Sequence, residues 1–389
     1  MNFKVFILAV TAVTVGLVEL IVGGILPIIA QDLHVSIGTA GQLITVFALV
    51  YAVSGPVLLS LTAKIERKKL YLITLSLFFL GNIMTYFSPT FTLVMVARVI
   101  TAMSAALVIV LSITITAKIV EPAHRAKAIG FVYMGVSSAL VLGVPIGILM
   151  TDAFGWRSVF LGIAVLTIGS IFLISYFLEK IPTENVLPLS QQMKALGNLK
   201  IAGAHLAIMF MLAGHYTVYA YFTPFLETTL HLSQNWISVS YFLFGIAAVS
   251  GGALGGILAD RIGSPKSILM VISSFAIILF ILPYATFSFV LFLFVMMIWG
   301  ALSWALTPPI QNYLIQTDPE SSDIHQSLNN SALQVGIALG SGIGGIALEH
   351  TRSVVSTAHV GSGVVILAFV CAIFSLTLPS RVTQTEGVK

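Results

Sequence analysis

Glu19 lies inside an apolar run from Phe6 to Ala30 that carries no other charge. A carboxylate in the middle of a membrane-length apolar helix costs at least ~2.5–3.5 kcal/mol to insert, so it needs a partner, a water-filled cavity or a proton. Glu19 is therefore a candidate proton carrier; the alternative is a structural carboxyl bonded to a neighbouring helix. Helical spacing puts Gly16, Glu19 and Gly23 on one face, where small residues permit close helix approach or leave room for a ligand. Arg98 is the one base deep in another apolar run. It lies about six residues, or ~9 Å, from one end of its helix, and Glu19 about eleven residues, or ~16 Å, from the corresponding end of its own. These depths allow a Glu19–Arg98 link that breaks when the Glu takes a proton. The alternative is an Arg held by backbone carbonyls. Gln326, Asn330 and Gln334 recur at i, i+4 and i+8, with Asn329 beside them. Buried carboxamides must find hydrogen-bond partners. With few charges nearby, they suit a neutral, hydrogen-bonding solute better than an ion.

Those residues have to be held by helices in a bilayer. The 389 residues are 58% hydrophobic and only 8% charged, with mean hydropathy +1.05, whereas soluble domains carry ~25% charged residues. Repeated apolar windows of ~20 residues indicate a polytopic helical membrane protein. Twelve spans are expected, near 4–29, 39–62, 70–87, 92–117, 127–150, 158–178, 201–226, 235–259, 267–286, 289–314, 326–348 and 356–378. The first is too long for a signal peptide, and no small-residue cleavage site follows it. Trp304, Pro308 and Pro309 suggest a bent tenth helix. Loops of one parity hold Lys64, Arg67, Lys68, Lys69, Lys118, Arg125, Lys127, Lys180, Lys194, Lys200, Arg261 and Lys266, and Lys4, Arg381 and Lys389 flank the outermost spans. The opposite loops hold only Arg157 and Arg352. The positive-inside rule then puts both termini in the cytoplasm, and the pI near 9.1 reflects topology rather than nucleic-acid binding. Cys371 is the only cysteine, which excludes intramolecular disulfides, thiolate metal sites and iron–sulfur clusters.

The longest hydrophilic loop splits the spans six and six, giving an N-terminal six-helix bundle over 1–179, a cytoplasmic linker over 180–200 and a C-terminal six-helix bundle over 201–389. The halves superpose on one shift. Gly55 to Lys64 aligns with Gly252 to Arg261 (260 − 63 = 197), and Gly143 to Gly147 aligns with Gly340 to Gly344 (340 − 143 = 197). Two loci sharing one offset in the same orientation indicate a parallel repeat about an axis normal to the membrane. The offset sets Tyr216 opposite Glu19 (19 + 197 = 216), with His215 adjacent, and Asn330 opposite Tyr133 (133 + 197 = 330).

Gly256-Ile257-Leu258-Ala259-Asp260-Arg261-Ile262-Gly263 resembles the cytoplasmic loop motif of the major facilitator superfamily, and the chain resembles in particular its proton-coupled drug-efflux branch. In that motif the acid caps a neighbouring helix start and the Arg bridges helices, which are the roles implied for Asp260 and Arg261. The first-half copy departs from the pattern: Ala63 stands for the acid and Glu66 for the glycine, leaving that half's inward-closing lock without its acid. Arg98 with Thr101, Ala102 and Ala105 resembles the fourth-helix arginine motif. Gly143-Val144-Pro145-Ile146-Gly147 resembles the fifth-helix motif of antiporters, where small residues pack closely and Pro bends the helix. Glu19 with Gly23, Leu26, Pro27 and Ala30-Gln31-Asp32-Leu33 resembles the first-helix signature of the arabinose-efflux-like branch. With Gly214-His215-Tyr216 and Asn329-Asn330-Ser331-Ala332-Leu333-Gln334 added, the full length resembles bacterial purine efflux permeases.

The resemblance implies an all-α integral membrane fold, with 12 transmembrane helices in two parallel-repeat six-helix bundles, in a bacterial cell membrane. It also implies proton-coupled export of purine bases or nucleosides (hypoxanthine, adenine, guanine and analogues) by alternating access. Glu19 and Arg98 would then couple protons. Glu19, Tyr133, His215, Tyr216, Tyr219, Asn329, Asn330, Gln334 and Trp299 would bind substrate. Carboxamides can pair with a purine edge, as they do with adenine in nucleic-acid readout. The tyrosines, Phe222 and Trp299 can stack on it, an interaction worth ~1–3 kcal/mol per base in single-strand binders. Each aromatic alone is equally a packing residue, and His215 equally an interior histidine bonded to a backbone carbonyl.

The nearest alternative is export of another neutral solute or drug, amphipathic or sugar-like. An intramembrane enzyme would need an H-E-x-x-H motif, paired intramembrane aspartates or a G-x-S-x-G turn, and none is present. The chain also lacks a G-x-x-x-x-G-K-[ST] loop, so ATP-driven transport by this chain is not expected. A receptor without transport is the remaining class. No cofactor or metal is expected. The expected partners are a small-molecule substrate, protons and the lipid bilayer, with no nucleic acid, and nothing in the sequence demands more than a monomer.

Overall fold

The computed structural model describes residues 3–183 and 197–379. Residues 184–196 of the expected linker, Lys194 among them, lie outside the described residues, as do Arg381 and Lys389. Hydrocarbon offers no hydrogen bonds, so a spanning backbone must satisfy its own N–H and C=O groups within helices. Among the described residues twelve helices are long and apolar enough to cross a membrane. They are α1 (Phe3–Gly24), α2 (Ile37–Leu61), α3 (Arg67–Phe87), α4 (Phe91–Ile119), α5 (Lys127–Phe154) and α6 (Trp156–Phe177), then α7 (Leu199–Tyr219), α8 (Gln234–Ile262), α9 (Ser264–Phe287), α10 (Phe289–Thr317), α11 (Ile324–Thr351) and α12 (Val355–Thr377). The expected spans agree to a few residues, apart from the first and seventh, which stop early.

Both early stops have one cause. α1 breaks at Ile25 and resumes over Leu26–Asp32, and α7 breaks after Tyr219 and resumes over Phe222–Thr229. Pro27 and Pro224 sit just inside the resumed helices. Proline lacks an N–H, and its ring crowds the carbonyl four residues back. The two are related by the repeat offset (224 − 27 = 197). Left-handed residues obey the same offset: His34 (φ 55°) pairs with His231 (φ 51°), and Gly155 (φ 79°) with Arg352 (φ 54°). Gly263 (φ 84°) has no such counterpart. Its equivalent is Glu66 (66 + 197 = 263), at φ −55°, whose carboxylate caps α3 by accepting from Lys68 N–H at 2.8 Å and Lys69 N–H at 2.9 Å. The departure at Glu66 replaces a left-handed turn with a helix cap.

Packing repeats as well. In the first half α1 packs on α5 and α6, α2 on α4, and α3 on α4 and α6. In the second, α7 packs on α11 and α12, α8 on α10, and α9 on α10 and α12. Glycines make the matching seams close: side chains at Gly143 and Gly147 would strike Leu17 and Ile21 of α1, and at Gly340 and Gly344 the α7 carbonyls of Ala213 and Thr217. α5 carries a π-helical turn at Ala139–Gly143 just before Pro145. α10 breaks at Leu306 and resumes at Thr307 ahead of Pro308 and Pro309, the bend expected there.

The halves meet along α2/α11 and α5/α8. Starting at the face opposite the termini, Ser36 bonds Glu349, Thr223 bonds Gly23 and Gly24, and Ser238 bonds the Pro145 carbonyl. Deeper in, Thr45 meets Ser341, Gln334 meets Glu19 and Ser331 meets the Ala52 carbonyl. Among the described residues no hydrogen bond joins the halves nearer the termini. The bundle is closed at the face opposite the termini.

Candidate functional site

Glu19 stands near the inner limit of that closed region, just above the Ser331–Ala52 bond. Beside it, Gly16 packs on α5, where an added Cβ would meet Ala139 and Val136 at 3.2 Å, and Gly23 lies against the Tyr219 and Ala220 carbonyls. The small residues flanking the acid therefore serve close helix approach. The carboxylate accepts a hydrogen bond from Gln334 Nε2 of α11 at 2.7 Å, across the two halves. A carboxamide satisfies a lone pair but carries no charge, so Glu19 has a partner without being neutralised.

Arg98 of α4, 1% exposed, is held by backbone. Nη1 donates to the Val18 carbonyl at 2.9 Å, Nε donates to the Leu43 carbonyl at 3.3 Å, and the guanidinium lies 4.0 Å above the Phe47 ring. Nη2 has no partner. No ion pair joins Arg98 to Glu19 among the described residues, although their charges act on one another. The structure thus shows the carbonyl-held alternative, and the carbonyl gripped on α1 belongs to the residue before Glu19.

Around Glu19 the candidate side chains divide into two groups. Tyr216 of α7 lies near enough to feel the Glu19 charge, as the offset suggested. Tyr51 of α2 does too; its hydroxyl also meets Asn330 of α11 and lies near Tyr133 of α5. Tyr133 is 48% exposed despite its mid-membrane company. Asn329 and Gln334 are buried, and the Asn329 Oδ1 and Gln334 Oε1 atoms have no partner. These residues come from α1, α2, α5, α7 and α11, so both halves contribute.

The second group is packed away. Trp299 of α10 is fully buried and donates its indole N–H to His215 Nδ1 at 3.1 Å. His215 is stacked at 5.2 Å from the Tyr219 ring, and Phe222 and Phe244 close the nest around Trp299. His215 therefore has an indole partner in place of the backbone carbonyl weighed for an interior histidine, and Trp299 orients the imidazole instead of facing Glu19. Tyr219 belongs to the nest, but its hydroxyl is buried without a partner.

Of the expected conformational residues, Pro145 bonds across the halves through its carbonyl. Asp260 and Arg261 are exposed, and among the described residues neither forms an ion pair or side-chain hydrogen bond. The start of α9 at Gly263 carries no side-chain cap, so the capping role implied for Asp260 is not made in this conformation. Gly256 faces open space. Sequence reasoning missed Tyr51 and Thr223. Tyr51 is equivalent by offset to Ala248 (51 + 197 = 248), so the repeat gave it no flag. Thr223 was detectable as the hydroxyl residue next to Pro224.

Comparison with known proteins places this geometry. The sequence profile of the Major Facilitator Superfamily matches residues 8–341. The uncharacterized MFS-type transporter YbcL of Bacillus subtilis (strain 168) is 35% identical over 372 residues, covering 96% of this chain and 95% of that one. A probable sugar efflux transporter of Helicobacter pylori (strain P12) is 26% identical over 353 residues, covering 89% and 88%. Among solved structures, a D-xylose–proton symporter superposes with TM-score 0.78 at 15% identity over 97% of this chain and 98% of that one. A bacterial homologue of the human lysosomal transporter Spinster, in an inward-facing state, gives 0.73 at 15% identity over 96% and 95%. Twelve spans in two repeated bundles, a shared mid-membrane polar cluster and a family match over most of the length agree: this chain is a membrane transporter of the Major Facilitator Superfamily.

Proposed function

We propose that the protein exports a neutral, hydrogen-bonding small solute of the purine-base class in exchange for protons, with Glu19 as the proton site. The observation that carries this reading is the Glu19–Gln334 bond. It joins the halves at a carboxyl with no counter-charge bonded to it, and the other carboxamide atom of Gln334 has no partner. A buried polar atom left unpaired costs ~1–3 kcal/mol. The Gln334 Oε1 and Asn329 Oδ1 oxygens are acceptors that a ligand with N–H donors would satisfy. Purine bases carry ring and exocyclic N–H groups, and carboxamides suit their edges.

Coupling needs only that proton and solute each bias the same two arrangements of the bundle. Deprotonated Glu19 takes a charge-assisted bond from Gln334 and so favours the arrangement in which α1 and α11 touch. Protonation weakens that bond and lets the halves part there. With both termini in the cytoplasm, as the positive-inside pattern indicates, the conformation described is the inward-facing one. Arg98 fixes the backbone of α1 next to the titrating carboxyl.

The test uses proteoliposomes with an acidic interior and radiolabelled hypoxanthine or adenine, comparing wild type with Glu19→Gln. The expected result is gradient-driven accumulation in the wild type that is lost in Glu19→Gln, while solute counterflow without a gradient survives. Accumulation persisting in Glu19→Gln would remove Glu19 as the coupling site. A second reading, a sugar-like solute, draws support from the probable sugar efflux transporter among the relatives; flux of labelled sugar but not of purine would establish it instead.

A further inference from the structure

A second collection of charges stands apart from the transport path. Near the termini, a groove of about 560 Å³ opens beside the start of α3, with Lys68, Lys69, Lys180 and Glu66 at its mouth. Leu72, Ile73, Ser76 and Leu77 continue it along one face of α3, at the three- and four-residue spacing of a helix surface.

The groove is held together by specific bonds. Arg67 N–H donates to the Ile181 carbonyl at 3.1 Å, and Ile181 N–H donates to Glu66 Oε1 at 2.7 Å. This two-way clamp fixes the strand of chain after α6 against the start of α3 and brings Lys180 beside Lys68 and Lys69. Lys68 Nζ donates to the Ser175 carbonyl of α6 at 2.8 Å, bridging the two helices. Glu66 is the only acid in the lining, and its oxygens are taken by three backbone N–H groups. Burial works to raise its pKa, but those bonds and the Lys68 charge hold it below the usual carboxylate range. The neighbouring Glu179 is engaged by Lys4 at 2.6 Å. Three lysines against one acid leave the mouth net positive.

We infer that this groove binds the headgroup of an anionic phospholipid from the leaflet on the side of the termini. The lysines match a phosphodiester in charge, and basic pockets between spanning helices are suited to such headgroups. Ile73 and Leu77 are 44% and 47% exposed and extend from the lysines toward the membrane interior. From Lys69 to Leu77 the helix rises ~12 Å, enough to lay much of an acyl chain along the wall. A free phosphate would use the lysines and leave that wall uncovered, whereas a lipid covers both. Tyr176 at the end of α6, 75% exposed, is of the type that meets headgroups at the interface.

The test is native mass spectrometry of the full chain in detergent with dioleoyl-phosphatidylglycerol or dioleoyl-phosphatidylcholine. Wild type is compared with Lys69→Gln/Lys180→Gln, with Lys180→Gln alone, and with Lys127→Gln/Lys266→Gln, which removes the same charge elsewhere on that side. The expected result is preferential retention of phosphatidylglycerol by the wild type. The groove double variant should lose it by on the order of tenfold, the single variant by less, and the control pair not at all. Equal retention in the groove variants and wild type overturns the inference, and so does equal retention of the two lipids. Displacement of the bound lipid by millimolar glycerol phosphate would also overturn it, because it would assign the site to a soluble phosphate.

Discussion

Thr223 donates its hydroxyl to the carbonyl of Gly23 at 3.1 Å. Gly23 is the residue whose carbonyl Pro27, four positions on and lacking an N–H, cannot satisfy. The same hydroxyl lies 3.0 Å from the Gly24 carbonyl and 3.1 Å from the Tyr241 hydroxyl. One half of the protein thus completes the hydrogen bonding of a proline break in the other. The break becomes a joint that is satisfied when the face opposite the termini is closed.

Replacing Thr223 with Val keeps the shape and removes the donor. Leaving a buried carbonyl unpaired costs ~1–3 kcal/mol, and the cost falls only on the closed arrangement. Thermal unfolding in detergent is expected to show a lowered Tm for Thr223→Val and a near-wild-type Tm for Thr223→Ser. Equal Tm values for all three would mean that water or a rearranged backbone satisfies Gly23 equally well.

Under the proposed function, Gln334 touches both sites, bonding Glu19 through Nε2 and leaving Oε1 for the solute. Gln334→Leu takes the only side-chain hydrogen bond shown for Glu19 and one amide oxygen from the cluster. A neutral hydrogen bond contributes ~0.5–1.5 kcal/mol, so solute affinity in a binding assay should weaken by roughly two- to tenfold. Gln334→Asn should fall between the two. An unchanged Kd in Gln334→Leu would place the solute away from α11.

Arg98→Lys tests whether a positive charge suffices at that position. The guanidinium reaches carbonyls on α1 and α2 with two of its nitrogens while lying flat over Phe47. A lysine is a single point donor and cannot reproduce that fork. The expected outcome is lower thermal stability together with loss of gradient-driven uptake, because the segment carrying Glu19 is no longer anchored. Full activity in Arg98→Lys would show that charge alone matters.

The helix count, the repeat and the Asn330–Gln334 part of the amide stripe were legible because each leaves a periodic mark, while Gln326, on the same stripe, is exposed. Apolar windows give the spans, a constant offset gives the symmetry, and i+4 spacing gives the stripe. The same offset extends, unremarked in the sequence, to Pro27 with Pro224, His34 with His231, and Gly155 with Arg352, whose meaning lies in backbone torsion and becomes visible only in three dimensions. The division among the aromatic candidates was not legible. The offset set Tyr216 opposite Glu19, but no pattern in the sequence separates Trp299, and only tertiary packing puts it against His215. Tyr51 escaped because its hydroxyl is set by α11, almost three hundred positions away in sequence, and neither helix's own pattern records the meeting.

The last prediction concerns pH. Beyond the break in α1, Asp32 accepts from Arg157 Nη1 at 2.6 Å and from the Trp156 indole at 3.2 Å, tying the end of the first helix to the start of α6. Burial works to raise the Asp32 pKa, but the Arg157 and Trp156 hydrogen bonds and the Arg157 charge outweigh it and hold the carboxyl below its usual value. A carboxyl depressed in the folded state adds stability above its unfolded pKa, about 3.9, and loses it as pH falls through the lower folded value. Both side chains are substantially exposed, at 30% for Arg157 and 43% for Asp32, so screening limits the pair to ~0–1 kcal/mol. Arg157→Gln should therefore lower Tm by about a degree at neutral pH. The gap to wild type should narrow as pH drops below about 4, and it should shrink in high salt. A Tm difference that persists unchanged at pH 3 would show that Arg157 acts through its bonds to the Ser88 carbonyl and not through the Asp32 charge.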